Sequence, residues 1–207
     1  LLAKQSSMAV AAFGVSSRIE MLLMIGILAV STAITPFIAQ NSGAKEINRI
    51  DQAIVFGGKA STYLGLLIAI ILFLFIKPIA GIFSQDPTVV EHTSNYFYIV
   101  SLSYVLYALY LITTAIFNGL QLTLKSLRIT LVKSFVFAIP LTLIGSIWGV
   151  NGIFIGLALA NVLAGIYAAR LMKKEIRESK SSLETVNVLE DYANDFKMLF
   201  RKLSGKS

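Results

Sequence analysis

Residues 11–45, AAFGVSSRIEMLLMIGILAVSTAITPFIAQNSGAK, decide how the rest of the chain is read. No charge occurs from Met21 to Ala39, and about 20 apolar residues are enough for a helix to cross a bilayer. Yet Arg18 and Glu20 stand just ahead of that run, Pro36 interrupts it, and Gln40, Asn41 and Gly43 close it. A simple anchor requires none of these. The stretch reads as a membrane helix that also handles something polar.

Composition agrees with a membrane setting. Of 207 residues, 56% are hydrophobic and 14% charged, with a mean hydropathy of +0.76. Soluble domains carry about 25% charged residues. The net charge of +7 comes mostly from residues flanking apolar runs, where it orients a membrane protein, so nucleic acid is not expected as a partner. There is no cysteine, which excludes disulfides and thiol sites, and His92 is the single histidine, which excludes a histidine metal cluster. No phosphate loop, zinc-binding helix or Ser-His-Asp set is found, so the chain does not read as an enzyme and no metal site is expected. The chain begins with Leu1 and is taken as a piece of a longer protein.

Outward from that stretch, five spans are expected, at residues 10–40, 63–83, 96–119, 134–148 and 153–172, within a membrane unit over 1–174. Polar loops are expected over 41–59, 84–95 and 121–133. Pro36 and Pro140 lack a backbone N–H and should kink their helices, with Ser31, Thr32 and Thr35 near the carbonyl that Pro36 frees. Residues 175–207 form a tail in which Leu183, Val186, Leu189, Ala193, Phe196, Phe200 and Leu203 recur at helical spacing. That pattern suits an amphipathic helix over 183–203, on the membrane surface or against a neighbour. Lys45, Arg49, Lys59, Lys125, Arg128, Lys133 and the Arg170–Lys180 cluster gather on one side, and Lys4 and Lys77 on the other. The positive-inside rule then puts the C-terminus in the cytoplasm.

Several residues are candidates for chemistry. An ionisable group within a span is costly, faces the bundle interior and marks ion or proton routes, which singles out Glu20; pairing that only holds structure is the plain alternative. Arg18 is two positions away and does not share its helix face. Tyr104, Tyr107 and Tyr110, with Thr114 and Asn118, form a stripe whose rings could face a cavity and hold aromatic cations, or simply pack. Gly152, Gly156, Ala160, Ala164 and Ala168 recur every four residues and let a neighbouring helix approach, with Asn161 beside them to bond across the contact. Gln40, Asn41 and Gly43 are read as the end of the first span, and Asn118, Gly119 and Gln121 as the end of the third, with glycine supplying the left-handed turn.

Residues 11–45 resemble the eighth helix of the multidrug and toxic compound extrusion (MATE) transporters, whose pattern there is roughly A-A-x-G-x-x-x-R-x-E, an apolar run, then x-G-Q-N-x-G-A. Ala11, Ala12, Gly14, Arg18, Glu20, Gln40, Asn41, Gly43 and Ala44 match, while Ala39 stands where the family has glycine. AIFNGLQLTLKSLRITL is similar to the family's tenth helix and following loop, without the arginine and glycines of L-R-G-x-G-x-T. WGVNGIFIGLALANVLAG resembles the approach to the last helix through Gly149, Gly152, Phe154, Gly156, Ala160 and Asn161.

The resemblance, over about residues 11–174, implies an all-α integral membrane fold. Five transmembrane helices, eight to twelve of a two-lobe transporter, would form most of the C-terminal lobe, followed by the amphipathic tail helix. It implies a plasma-membrane antiporter coupled to Na+ or H+ that exports small organic cations, with the missing N-terminal lobe and membrane lipid as partners. Glu20, Arg18, Gln40 and Asn41 become the ion-coupling candidates. Some family members use acidic residues in the seventh and tenth helices. The seventh is absent here, and no Asp or Glu lies between Tyr96 and Lys125. Two rivals stay open: a flippase for lipid-linked precursors, for which Arg18 is the one in-span cation, and a scaffold subunit that transports nothing.

Overall fold

The structure is a computed structural model that describes residues 7–203, with side chains described for residues 7–178. The apolar face expected at 183–203 therefore lies outside the described side chains. Every described regular element is helical: α1 (Ser7–Gly43), α2 (Ile47–Phe83), α3 (Pro87–Val100), α4 (Tyr104–Gly119), α5 (Thr123–Leu131), α6 (Ile139–Gly145) and α7 (Gly149–Leu203). One 3-10 turn, Ser101–Ser103, joins α3 to α4, a π-helical stretch, Val132–Ala138, joins α5 to α6, and a second 3-10 turn, Ser146–Trp148, precedes α7. Four continuous stretches, Ser7–Gly43, Ile47–Phe83, Pro87–Gly119 and Thr123–Glu178, are long and apolar enough to cross a membrane. The chain is thus an all-α membrane protein. It divides into two compact units, Leu1–Ala169 and Arg170–Ser207.

In the first unit α1, α2 and α4 pack on one another, α3 packs against α1 and α2, and α5 against α4. Buried positions on α1, Ala9, Ala12, Ser16, Ile19, Met24 and Ile27 among them, recur every three to five residues and so share one face. The core they meet holds Phe97, Tyr104, Ile112 and Phe117 from α3 and α4 and Leu72 and Ile76 from α2. The opposite faces are equally apolar. Met21 is 71% exposed, and Phe73, Leu74 and Ile82 are also bare. A water-soluble bundle would hide such a surface, whereas acyl chains cover it without cost.

Three connections are shorter than expected, because the polar segments themselves coil. Residues 47–59 belong to α2, which starts sixteen residues (63 − 47) ahead of the expected span. Ala53 and Gly57 are buried there while Arg49 and Lys59 are exposed, so these residues coil into the start of α2 with one side packed rather than forming a loop. Asp86 accepts from the backbone N–H groups of Thr88 (2.8 Å) and Val89 (3.4 Å) and Pro87 opens the first turn, so α3 begins nine residues (96 − 87) early. Residues 123–131 form α5.

Two helix ends close alike. After α1, Glu46 N–H bonds to Asn41 C=O (2.9 Å) and Lys45 N–H to Ser42 C=O (3.2 Å), with Lys45 at φ 59°. After α4, Leu122 N–H bonds to Phe117 C=O (2.8 Å) and Gln121 N–H to Asn118 C=O (3.1 Å), with Gln121 at φ 61°. Both are Schellman closures. The left-handed residue is Lys45 rather than Gly43, and Gln121 rather than Gly119. Gly119 instead lets α4 touch α1, where an added Cβ would meet Thr35 O at 2.7 Å.

Helix α1 runs through Pro36 without interruption. The Thr35 hydroxyl donates toward the carbonyls of Ser31 (3.0 Å) and Ala115 (3.1 Å), and the Thr32 hydroxyl toward those of Leu28 and Ala29. These hydroxyls serve other carbonyls than the one Pro36 frees. Around Pro140 the backbone shifts to π-helical bonding in the stretch just ahead, as expected where a proline disturbs the ladder. At Gly149 (φ 77°, ψ −159°) the chain reverses. Beyond it Gly152 lies backbone to backbone against Gly145, and Gly156 against Leu141, so residues before and after the turn pair antiparallel.

In the second unit Lys174 and Glu178 form an exposed i, i+4 pair at 3.6 Å, a contact of little energetic weight.

Candidate functional site

Glu20 is a half-buried carboxylate on α1, next to the fully buried Ile19 and one turn beyond the fully buried Ser16. Tyr96, on the buried face of α3, donates its hydroxyl to Glu20 Oε2 across a long 3.4 Å. The Tyr96 ring cannot swing freely, because three aromatic neighbours meet it edge to face: Phe13 at 6.0 Å, Phe97 at 4.9 Å and Phe154 at 4.9 Å. Three different parts of the chain thus fix one hydroxyl beside one acid. Tyr104 is fully buried next to both. Its hydroxyl makes no hydrogen bond of good geometry among the described residues.

The tyrosine stripe continues along α4. Tyr107 and Tyr110 stack with centroids 5.7 Å apart and planes 12° from parallel. Tyr110 donates to Thr130 Oγ1 of α5 at 3.3 Å, and Thr130 in turn to Ser126 C=O at 3.1 Å. Over the pair lies Lys133, from the π-helical stretch, with Nζ 4.0 Å from the Tyr107 centroid and 4.7 Å from that of Tyr110. Both distances fall well inside the reach of a cation–π contact, about 6 Å. Lys133 and Glu20 attract across the cluster. One acid, one ammonium and four phenols therefore gather near the middle of the 33-residue stretch Pro87–Gly119.

Close backbone approach makes the cluster tight. A Cβ on Gly65 of α2 would meet Val105 Cα at 2.6 Å and Tyr104 O at 2.9 Å. One on Gly165 of α7 would collide with the Leu106 carbonyl. These two glycines bracket the turn that carries Tyr104 and Tyr107. Asn161 donates from Nδ2 to Ser103 Oγ at 3.2 Å, joining α7 to the start of α4. Gly152 and Gly156 serve the antiparallel turn described above, and Ala160 is buried.

The other sequence candidates lie elsewhere. Arg18 is exposed and points away from the Glu20 face. Gln40 is exposed and Asn41 is buried, its Nδ2 donating to Phe37 C=O at 2.7 Å; both stand about 30 Å from Glu20 along the helix axis. Thr114 bonds back to Leu111 C=O (2.7 Å), and Asn118 is exposed at the end of α4. A second concavity, of about 640 Å³, opens between α1 and α2 among Ala33, Phe37, Ala53 and Phe56, with Arg49 and Gln52 at its edge. It holds no carboxylate.

Tyr96 and Lys133 were not recognisable as site residues in the sequence. Tyr96 looked like the first residue of a span and Lys133 like the last cation of a loop. A signal for Lys133 was nonetheless present: it alone of the basic residues after α4 directly precedes an apolar run, SFVFAIPL, with no polar spacer longer than Ser134.

The chain as a whole is similar to known membrane transporters. The MatE family model matches residues 1–144. An FAD transporter of Shewanella oneidensis is 36% identical over 167 residues, 80% of this chain and 37% of that protein. The Vibrio cholerae MATE transporter VcmN, in its bent form, superposes with a TM-score of 0.80 at 28% identity, over 86% of this chain and 41% of that one. A MOP superfamily transporter from Pyrococcus furiosus shares the fold, with a TM-score of 0.79 at 23% identity over 84% and 40% of the two chains. The chain therefore spans about two fifths of the length of its relatives. With the family model covering well over half of its residues, this multi-pass membrane chain belongs to the MATE family of transporters.

Proposed function

We propose that the chain is most of the C-terminal lobe, helices eight to twelve, of an antiporter driven by Na+ or H+, with Glu20 as its coupling carboxylate. The carrying observation is the Glu20–Tyr96 contact in mid-helix, with Tyr104 and Lys133 beside it. A carboxylate held by a fixed hydroxyl within a packed bundle has a defined site for a proton or sodium ion. A bound cation drives a conformational change only if its affinity differs between the two states, and rocking of this lobe against the missing N-terminal lobe would change what surrounds Glu20. Five crossings, the fourth and fifth paired through the turn at Gly149, would put the C-terminus in the cytoplasm of a plasma-membrane protein.

The exported solute in this reading is a small organic cation or another amphipathic aromatic compound. A second reading, export of a flavin dinucleotide, is favoured by one observation: Lys133 places a positive charge on the tyrosine platform, where an anionic aromatic solute would find it. The relative described as an FAD transporter supports that choice. The flippase and scaffold alternatives have weaker support, since Arg18 faces away from the cluster.

The test uses the intact parent protein in proteoliposomes under an imposed sodium or proton gradient. Movement of a fluorescent organic cation is followed in parallel with that of FAD. Gradient-driven movement of either that collapses in Glu20→Gln supports the coupling role, and the solute moved decides between the two readings. Lipid translocation without a gradient would favour the flippase, and no movement at all the scaffold. The isolated 207-residue chain should move nothing, since half of the cleft is missing.

A further inference from the structure

The platform made by Tyr107 and Tyr110 is already occupied. Two nearly parallel phenol faces, 5.7 Å apart and 12° from coplanar orientation, make a seat for one cation, and the cation on it belongs to the chain itself. Thr130, which takes the Tyr110 hydroxyl, precedes Lys133 by three residues on the same helical run. Platform and occupant are thus tied together at one point. Lys133 also has a rival partner in Glu20. An ammonium on a flexible four-carbon stem can turn from the rings toward that charge.

We infer that Lys133 is a tethered competitor, an ammonium that fills the Tyr107–Tyr110 seat and keeps free monovalent organic cations off it unless it turns toward Glu20. A solute cation on the rings and a coupling cation at Glu20 then exclude each other through one side chain. When Glu20 is neutralised, Lys133 stays on the rings and blocks the solute. When the solute takes the rings, Lys133 moves to Glu20 and occupies the carboxylate. The charged and titratable groups around this exchange are Glu20 from α1, Tyr96 from α3, Tyr104, Tyr107 and Tyr110 from α4, and Lys133 itself. The inference takes its setting from the proposed transport function, but its central claim concerns occupancy at equilibrium.

Radiolabelled tetraethylammonium, equilibrated by dialysis with the purified intact parent protein and with no gradient imposed, reads that occupancy directly. Lys133→Met should bind it about tenfold more tightly than the unaltered protein, the scale of one desolvated cation–π contact. Lys133→Arg, which keeps a cation on the rings, should bind like the unaltered protein. Adding Tyr107→Leu to Lys133→Met should abolish the gain. Lys133→Gln stands in if the methionine variant does not purify as a folded protein. Equal affinity with and without the Lys133 charge, or a gain that survives Tyr107→Leu, overturns the inference. Because no gradient is applied, loss of coupling through Glu20 would not mimic either failure.

Discussion

At the scale of single residues, one carboxylate and one phenol meet inside the bundle: Glu20 accepts from the Tyr96 hydroxyl. Glu20 stands out in the sequence because a charge at the mouth of a long apolar run must have a reason to be there. What holds it, Tyr96, comes from 76 residues away, and no periodicity links the two. Lys133 was hidden for a related reason: its neighbours Lys125 and Arg128 mark a polar segment, and only the fold puts Lys133 over the tyrosine rings. Conversely Gln40 and Asn41, adjacent to Glu20 in motif logic, end up about 30 Å away because one unbroken helix carries them all. Two substitutions separate these contributions. In gradient-driven transport by the intact parent, Glu20→Gln should lose nearly all coupled flux. Tyr96→Phe removes only one long hydrogen bond, worth about 1 kcal/mol, and should slow flux by roughly fivefold. A Tyr96→Phe protein as inactive as Glu20→Gln would mean that the phenol does more than position the acid.

At the scale of elements, five spans were expected and four continuous apolar stretches are found, with helix ends that differ from the expected ones. Residues 47–59 carry enough charge to look like a loop, yet Ala53 and Gly57, four residues apart, are buried there, while Ile47, Val55 and Phe56 stay exposed. Asp86-Pro87 carried an explicit start signal, a capping carboxylate before a first-turn proline, that charge counting passed over. The two left-handed closures were expected at glycines and fell on Lys45 and Gln121. A residue with a Cβ in that conformation costs about 1–2 kcal/mol, so Lys45→Gly should raise the unfolding free energy by about 1 kcal/mol, seen as a higher melting temperature in detergent. The reverse holds where glycine allows contact. Gly165→Val would drive a side chain into the Leu106 carbonyl and should lower stability by about 3 kcal/mol, while Ala160→Gly, on the same helix, should cost about 1 kcal/mol. Equal melting temperatures for Gly165→Val and the parent would show that α7 does not press on α4 there.

At the scale of the molecule, the apolar exterior places the bundle in lipid, and thiol labelling counts its crossings. Thr123–Glu178 is one long apolar stretch, but Gly149 reverses it, so its two halves run in opposite directions. These 207 residues hold no cysteine, so thiols introduced here label singly once any cysteine elsewhere in the parent is replaced. In sealed membranes containing the intact parent, Asn48→Cys and Gln121→Cys should react with an impermeant maleimide from one side, and Asp86→Cys and Trp148→Cys from the other. Reaction of Gln121→Cys and Trp148→Cys from the same side would reduce the five crossings to fewer.

The turn at Gly149 has a mechanical consequence. Gly145 and Gly152 face each other with no side chain between them, so the two arms lock at backbone distance right beside the bend. Neither arm can enter or leave the bilayer alone without opening that seam. Under a pulling force applied at the tail, the two arms on either side of Gly149 should come out together in a single rupture, and a bulky residue at position 152 should split that event into two smaller ones.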